Sequence, residues 1–165
     1  MIFRHLFKPK PVQAQAVYAA IVAATRQPHF YADLDVPDTI DGRFDLLVVH
    51  LWLVVARLKG EDDPLRQQLI DVFCVDMDDN IRELGAGDLG VSKKVRRMAE
   101  AFQGRYVAYD AAHDHATMVA ALQRNVYAGK ANAGVAKLAD YVLGAKAQLH
   151  KQETENIIAG KFVFA

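Results

Sequence analysis

The sequence predicts an all-α fold, a single-domain bundle of about six helices. Between glycine and proline punctuation, apolar residues recur at spacings of three and four, the period of an amphipathic helix. The alternating pattern of a half-buried strand is nearly absent. One segment, about 42–59, is apolar nearly all round, which predicts a largely buried central helix. A chain of 165 residues is long enough to bury one such core.

Six predicted helices follow one another along the chain. They run from Pro11 to about Gln27, from Gly42 to Lys59, from Asp63 or Pro64 to Leu84, from just after Asp88 to Gly104, from Arg105 to Ala128, and from Ala131 to His150. Pro11 suits the first turn of a helix, and Gly104 suits a C-terminal cap. Residues 29–42 are expected to form a loop with a short helical turn. The apolar tail, residues 160–165, is expected to pack onto the bundle as an extended segment.

Residues 1–10 are predicted to be an N-terminal extension of the domain formed by residues 11–165. The apolar and basic side chains of the extension suit either contact with a membrane surface or folding onto the body of the protein, and we favour the second interpretation. These side chains are Phe3, Leu6, Phe7, Arg4, Lys8 and Lys10. The extension lacks the apolar stretch of a secretory signal. The longest apolar run, residues 46–56, is too short to span a bilayer.

The composition excludes several classes of protein. Twenty basic and twenty acidic residues give a formal net charge of zero, so attraction of the whole surface to nucleic acid such as DNA is not expected. Apolar residues make up 52% of the chain and charged residues 24%, as in an ordinary soluble globular protein. The single cysteine, Cys74, excludes an internal disulfide and is consistent with a reducing compartment, such as the cytoplasm.

The stretch DMDDNIRELGAGDLGVSKKVRR, residues 76–97, resembles a metal site at first sight, because four acidic residues crowd around a methionine. A calcium loop that began at Asp76 would need glycine at its sixth position and glutamate at its twelfth. Ile81 and Gly87 occupy those positions. The acidic residues also lie in a predicted helix, where they cannot wrap one ion. We therefore predict no metal site.

The same stretch contains G-x-G-x-x-G, at Gly85, Gly87 and Gly90. In a dinucleotide-binding unit this motif follows a buried strand and opens a helix. Here a long amphipathic helix precedes it, so we interpret the glycines as a turn between two helices. Gly85 is the expected C-cap of the first of these helices. Asp88, just before the second, is expected to offer its carboxylate to free backbone N–H groups there.

The polar residues at the start of the stretch fall into two groups, according to the side of the helix that they face. Asp78 lies four residues before Arg82, in the order that favours an ion pair on a helix surface. Asp76 and Asn80 share one side of the helix, inside the apolar arc. A half-buried carboxylate needs a partner, so Asp76 is expected to tie its helix to the start of the next helix or to an arginine. The functional alternative is that Asp76 forms the floor of a binding groove.

Basic residues follow at Lys93, Lys94, Arg96 and Arg97, opposite the apolar side of the next predicted helix. A solvated helix face is the ordinary interpretation of such a run. Four cations within five residues also form a local positive patch, which suits an acidic peptide, ribosomal RNA or an anionic lipid. No aromatic residues are interleaved with the cations, so the run gives no additional indication of single-stranded nucleic-acid binding.

Catalytic motifs are absent from the sequence: there is no G-x-S-x-G, H-E-x-x-H or phosphate-binding loop. His113 and His115 are two residues apart and would face different sides of a helix. His50, set among apolar residues, is predicted to be a hydrogen-bonded core residue, and nothing near Cys74 indicates an activated thiolate. We therefore predict a helical binding module that is not an enzyme and holds no cofactor. The alternative is a small cofactor-binding protein or enzyme with a buried pocket at His50 or at Asp76 and Asn80.

Four segments in order resemble the ubiquinol–cytochrome c chaperone family. They are DGRFDLLVVHLWLVVARLKG (41–60), FCVDMDDNIRELGAGDLGVSKKVRRMAEAFQGR (73–105), AYDAA (108–112) and ALQRNVYAG (121–129). The most specific part is the acidic helix followed by RELG-x-GD and KK-x-x-x-MAEAF-x-GR. The resemblance covers roughly residues 10–160. The short N-terminus lacks the long presequence of mitochondrial members, so a bacterial member is expected.

This resemblance implies a non-enzymatic assembly factor of respiratory complex III that binds newly made cytochrome b. It also implies as partners the ribosome, a small partner subunit and, peripherally, the inner membrane, from the cytoplasmic face in a bacterium or the matrix side in a mitochondrion. We interpret the charged residues at matching positions as the client or partner surface. They are Asp76, Asp78, Arg82, Asp88, Lys93, Lys94, Arg105 and Arg124, with Arg96 and Arg97 continuing the same patch.

Overall fold

The computed structural model describes residues 12–85 and 87–165, and for residues 88 and 89 it describes the backbone alone. These residues form one all-helical domain, which confirms the predicted fold class. Eight helices are present in the described part of the chain, six of them long. They are α1 (Val12–Thr25), α2 (His29–Ala32), α3 (Ile40–Arg57), α4 (Asp63–Glu83), α5 (Asp88–Asp110), α6 (His115–Asn125), α7 (Gly134–His150) and α8 (Thr154–Ile158).

The central helix is α3, as the sequence predicts. Residues 45–55 are all buried, and α1, α5 and α7 pack around them. The helix begins at a clear start signal, because the Thr39 side chain accepts a hydrogen bond from the Gly42 backbone N–H. Helix propensity is secondary here, since α3 gains its stability by removing apolar surface from water on every side.

Helices α1, α3, α4 and α5 form the main bundle. The last turns of α1 and α4 lie at the same end as the first turn of α3, because Thr25, Ile40 and Leu84 line a common groove there. The N-terminal half of α5 reaches the same end through Met98. On the far side of α3, α6 and α7 pack against each other and α7 packs on α3, while α8 contacts α1. The connection between α4 and α5 is therefore at the groove end of the bundle.

The predicted helix boundary at Gly104 is wrong. Helix α5 continues through Gly104 to Asp110, because the buried rings of Phe102 and Tyr109 on either side hold the helix against its neighbours. Packing of this kind outweighs the cost of about 1 kcal/mol for one glycine in a helix. The next helix begins at His115, behind a capping box formed by Asp114 and Thr117. The single helix predicted from Arg105 to Ala128 is thus the end of α5, a turn and α6.

Other predicted boundaries hold more closely. Helix α4 follows an Asp62 cap and ends at Glu83, and Gly85 after it has a φ of 84°, which confirms its capping role. Helix α7 begins at Gly134, three residues later than predicted, since the Asn132 side chain accepts a hydrogen bond from the Gly134 N–H and opens the helix there. Helix α8 was not predicted, whereas the apolar tail packs as expected, with Phe164 buried. The predicted extension, residues 1–10, lies outside the described residues.

Replacing Gly104 with alanine tests the continuity of α5. A Cβ at this position meets nothing within 4 Å, so Gly104→Ala is expected to raise the free energy of unfolding by about 0.5–1 kcal/mol. The matched substitution Gly42→Ala places a Cβ against the Pro37 carbonyl oxygen, and it is expected to lower that free energy by about 3 kcal/mol. Urea unfolding of both variants gives the comparison. Loss of stability in Gly104→Ala would instead indicate that a helix ends at this glycine.

Candidate functional site

An open groove of about 1180 Å³ lies at the end of the bundle where α3 begins. It is formed by the last turns of α1 and α4, the α2 region, the first turns of α3 and one residue of α5. Its apolar lining comprises Val22, Pro28, Ala32, Ile40, Phe44, Leu47, Met77, Ile81, Leu84 and Met98. The α2 region contributes Pro28, Tyr31 and Ala32 to the wall of the groove between the end of α1 and the start of α3 in the chain.

The apolar surface of the groove reaches the solvent at its edges. Ile40 is 67% exposed and Leu84 is 69% exposed, and both line the groove. Apolar surface in contact with water has an unfavourable free energy, which is relieved when a binding partner covers it. Met77 and Met98 add flexible thioether side chains, which adapt to differently shaped ligands. The groove therefore has the composition of a surface that binds an apolar segment.

Asp76 forms a hydrogen bond with a residue of α1. The predicted partners of Asp76, the start of the next helix or an arginine, are therefore wrong. The Tyr18 hydroxyl on α1 donates a hydrogen bond of 2.7 Å to Asp76 Oδ2. Burial, then the hydrogen bond to Asp76, raise the pKa of Tyr18 well above its usual range, so the hydroxyl stays protonated as the donor. The tie joins α4 to α1 instead of α5 because α1 runs alongside this part of α4. Asp76 also lines the groove. The same residue thus ties two helices together and forms part of the groove surface.

The neighbours of Asp76 on α4 follow the predicted geometry. Asn80 lines the groove one turn later, and its Nδ2 donates a hydrogen bond of 2.7 Å to the Asp76 backbone carbonyl. Arg82 Nε donates to Asp78 Oδ2 at 2.7 Å, which confirms the predicted ion pair. Asp78 and Arg82 thus stabilise each other on the helix surface, outside the groove lining.

The basic run forms an exposed face on the first half of α5. This cationic face consists of Lys93, Lys94, Arg96 and Arg97. Arg96 lies 3.5 Å from Glu100, and the other three make no ion pair within the described residues. Lys94 is one turn before Met98, which lines the groove. The cationic face therefore lies on the half of α5 that reaches the groove end of the bundle, although none of its four residues lines the groove.

The structure does not bring Arg105 and Arg124 to the groove. Arg105 Nη2 lies 2.7 Å from Asp45 Oδ1 on α3, with only 22% of the arginine side chain exposed. Burial raises the pKa of Asp45 to about 6, because desolvation outweighs the attraction of Arg105. Arg124 is exposed on α6, none of whose residues lines the groove. Helix α5 begins at Asp88 behind Gly87, and the expected capping by the Asp88 side chain lies outside the described residues.

His50 is a core residue, as predicted. It is fully buried; Nδ1 lies 2.9 Å from the Leu46 carbonyl oxygen, and Nε2 lies 2.8 Å from the Tyr141 hydroxyl. A carbonyl can only accept, so Nδ1 carries the proton and Nε2 accepts from Tyr141. Burial lowers the pKa of His50 to about 4. Both nitrogens are occupied, which leaves neither for a ligand.

The described residues offer little for metal or thiol chemistry. They contain no group of three or more histidine, cysteine or acidic residues placed to hold a metal ion. Burial raises the pKa of the Cys74 thiol, so the thiol form is favoured. His113 precedes α6 and His115 begins it, so the two do not share one helix as predicted; His115 pairs with Asp140 at 3.1 Å. No helix in the described part combines the length and apolarity that crossing a bilayer requires.

Sequence reasoning missed the side of the groove that α1 and α3 provide. Val22 belongs to a helix whose sequence gave no sign of a groove, and Ile40 follows the Thr39 cap without any motif. The groove depends on how several helices meet at one end of the bundle, and a local pattern carries no information about such an arrangement.

An apolar groove and a cationic helix face at the same end of a helical bundle suit a helical binding module. A family model described as ubiquinol-cytochrome C chaperone matches residues 32–164, and the chain belongs to this family. The resemblance found in the sequence is thereby confirmed.

Two relatives agree with this membership. The crystal structure of the Cbp3 homologue from Brucella abortus is 38% identical, with a TM-score of 0.83, over 93% of this chain and 88% of that chain. Ubiquinol-cytochrome c reductase complex assembly factor 1 of Drosophila melanogaster is 24% identical over 107 residues. That match covers 60% of this chain and 41% of the fly protein, so the chain spans less than half the length of this curated relative.

Substitution of Tyr18 tests the tie between α1 and α4. Tyr18→Phe removes the donor to Asp76 while keeping the buried ring, and it is expected to lower the free energy of unfolding by about 1–2 kcal/mol. Thermal and urea unfolding measure the loss. The double variant Tyr18→Phe with Asp76→Leu is expected to recover part of it, because no half-buried carboxylate then lacks its partner. An additive loss in the double variant would show that the two groups do not interact.

His50 is expected to make stability fall in acid. The unfolded chain binds a proton at a histidine pKa of about 6.5, whereas the folded pKa is lowered to about 4. The stabilising contribution is therefore present above pH 6.5 and is lost as the pH falls to 4, by about 3 kcal/mol. The raised pKa of Asp45 acts in the opposite sense, since its contribution is lost as the pH rises toward 6.

The variant His50→Gln isolates the histidine term, because glutamine does not titrate and Asp45 is common to both proteins. Urea unfolding of both proteins from pH 7 to pH 4 is the measurement. Relative to the unsubstituted protein, the variant is expected to gain about 3 kcal/mol over this range. A constant difference between the two proteins at every pH would contradict the assignment of His50 as a buried neutral group.

Proposed function

We propose that this protein is a non-enzymatic assembly factor of the ubiquinol–cytochrome c reductase complex that binds newly made cytochrome b. Family membership and the name of the fly relative support the assembly role. The observation that carries the proposal is the apolar groove with the cationic face beside it. A membrane protein that has not yet reached its complex exposes apolar segments flanked by polar loops, and this surface suits both features.

The two parts of the surface act together in the proposed mechanism. An apolar segment of the client lies in the groove, where each square ångström removed from water contributes about 25 cal/mol. An acidic loop, or ribosomal RNA near the emerging chain, meets the cationic face. Because one molecule makes both contacts, each raises the effective concentration of the other. Holding and release by this route need no covalent chemistry and no cofactor.

The proposal places the protein on the cytoplasmic side of the inner membrane in a bacterium, or on the matrix side in a mitochondrion. Cytochrome b is inserted at that membrane, so a peripheral position brings the groove close to the client. The ribosome and a small partner subunit complete the proposed set of partners. The exposed cations of the face are available to such anionic surfaces.

Affinity capture from native membranes tests the proposed function. The tagged full-length protein is captured in mild detergent, and the recovered cytochrome b is divided into unassembled and assembled forms by native gel electrophoresis. Enrichment of the unassembled form, and loss of the assembled complex when the gene is deleted, are the expected results. Normal levels of the complex in the deletion strain would contradict the proposal.

Charge reversal tests the role of the cationic face. Substituting Lys93, Lys94, Arg96 and Arg97 by glutamate is expected to weaken association with client or ribosome at least about tenfold at low salt. The effect should shrink as salt screens the charges. The melting temperature is expected to stay nearly unchanged because these side chains are exposed.

A control variant carries the same change in net charge elsewhere. Lys130, Lys137, Lys151 and Lys161 are exposed and line no part of the groove. Their reversal to glutamate should leave association within about twofold of the unsubstituted protein. Equal losses in the two variants would show that net charge alone matters and that the face has no special role.

A further inference from the structure

We propose that the groove holds an amphipathic α-helix whose two flanks carry charges of opposite sign, a basic side chain facing α4 and an acidic one facing the end of α1. The inference deepens the proposed function, and it rests on that function for the identity of the protein that supplies the helix. The shape of the groove and its charges carry the rest of the argument.

The surroundings of the groove favour a helical occupant over an extended one. Every residue of its lining belongs to a helix or to the turns and loop between helices. No strand edge is present among the residues the structure describes, so an extended peptide finds no backbone partners there. A helix satisfies its own N–H and C=O groups before it binds. The α4 wall from Asp76 to Leu84 rises eight residues, about 12 Å, which matches two turns of a guest helix.

The apolar lining fits one face of such a helix. Phe44 and Leu47 of α3 are half-buried and buried, and Ile40 and Leu84 stand exposed at the edges. An apolar stripe with residues at i, i+3, i+4 and i+7 is wide enough to cover the lining and meet both edges. The guest therefore needs a stripe on one face only and keeps its other face in water.

The α4 side of the groove carries unpaired negative charge. Asp76 Oδ2 accepts from Tyr18, while Oδ1 has no hydrogen-bond partner within the described residues. Glu83 is exposed on the same helix and makes no ion pair in that part of the chain. These two carboxylates lie seven residues apart, two helical turns. A lysine or arginine on the adjoining flank of the guest meets them.

The end of α1, a separate part of the groove wall, carries unpaired positive charge. Arg26, directly after α1, is exposed and has no ion pair within the described residues. Arg43 also lines the groove, but it pairs with Asp38 at 2.7 Å and is compensated. Arg26 is thus the cation left for an acidic residue of the guest. Exposed pairs of this kind change affinity by only about twofold to fivefold each, so they select the guest while the apolar face binds it.

Three synthetic peptides test the inference with the full-length protein. Each has 16 residues, a fluorescent label and the same leucine stripe; the flanks carry glutamate on one side and lysine on the other, glutamate on both sides, or lysine on both sides. Fluorescence anisotropy at low salt measures the dissociation constants. The mixed peptide is expected to bind about threefold to tenfold more tightly than either of the others. A proline in the middle of the mixed peptide is expected to abolish binding.

Protein variants locate the binding in the groove. Arg26→Glu is expected to shift the preference to the peptide with lysine on both flanks, whereas Lys137→Glu, on α7, should leave the order unchanged. Ile40→Asp is expected to weaken all three peptides at least tenfold. Its matched control is Val107→Asp, since Val107 is 56% exposed on α5 and does not line the groove. All four positions are exposed, and circular dichroism checks that the fold is retained.

Several outcomes would overturn the inference: equal affinity for the three peptides, undiminished binding of the proline peptide, or a preference that Arg26→Glu leaves unchanged. These results are separable from the proposed function. Capture of unassembled cytochrome b together with failure of the peptides would refute the helical guest and leave the assembly role standing. If the peptides bind in the expected order but the protein captures no cytochrome b, the helical guest is supported and the proposed function is refuted.

Discussion

Burial of α3 on all sides is the constraint on which the rest of the structure depends. Residues 45–55 have no exposed face, so α1, α5 and α7 must supply apolar surface around them. Two polar groups inside this segment then fix the register of the neighbours: Asp45 faces Arg105 of α5, and His50 accepts from Tyr141 of α7. Unpaired, either polar group would be costly in this environment. Both the packing and the alignment of the bundle therefore follow from one helix.

The groove follows from how that packing ends. Residues 45–55 of α3 are buried among the surrounding helices, but Ile40, Asp41 and Arg43 in its first turn are exposed. Apolar side chains of five helices line the groove there, and the Tyr18 hydrogen bond to Asp76 holds α1 and α4 together. The start of α5 brings its cations to the same end. The open apolar surface of this protein thus lies at the end of the bundle, where the core is incomplete.

The sequence predicted those features correctly that depend on a single segment of the chain. The buried α3, the Asp78–Arg82 pair and the Gly85 cap were predicted because residues within a few turns of one another determine them. The end of α5 was mispredicted because tertiary packing of Phe102 and Tyr109 overrides the local preference of Gly104. Tyr18 and Asp76 are 58 residues apart, and residues of five helices line the groove, so no local pattern could reveal either. The family resemblance also placed Arg105 on the partner surface, although its side chain is largely buried against Asp45 of α3.

The location of the groove at the bundle end has a consequence for evolution. Substitutions in the buried residues around α3 destabilise the fold and are therefore selected against. Four residues of the groove are exposed and contribute little to stability: Ile40, Leu84, Arg26 and Glu83. Partner preference can therefore diverge between lineages at positions where drift carries little penalty for the scaffold. The Brucella abortus homologue keeps the fold while 62% of the aligned residues differ (100% minus the 38% identity). Under the proposed function, the residues at the groove edges are expected to co-vary with the client in such a lineage.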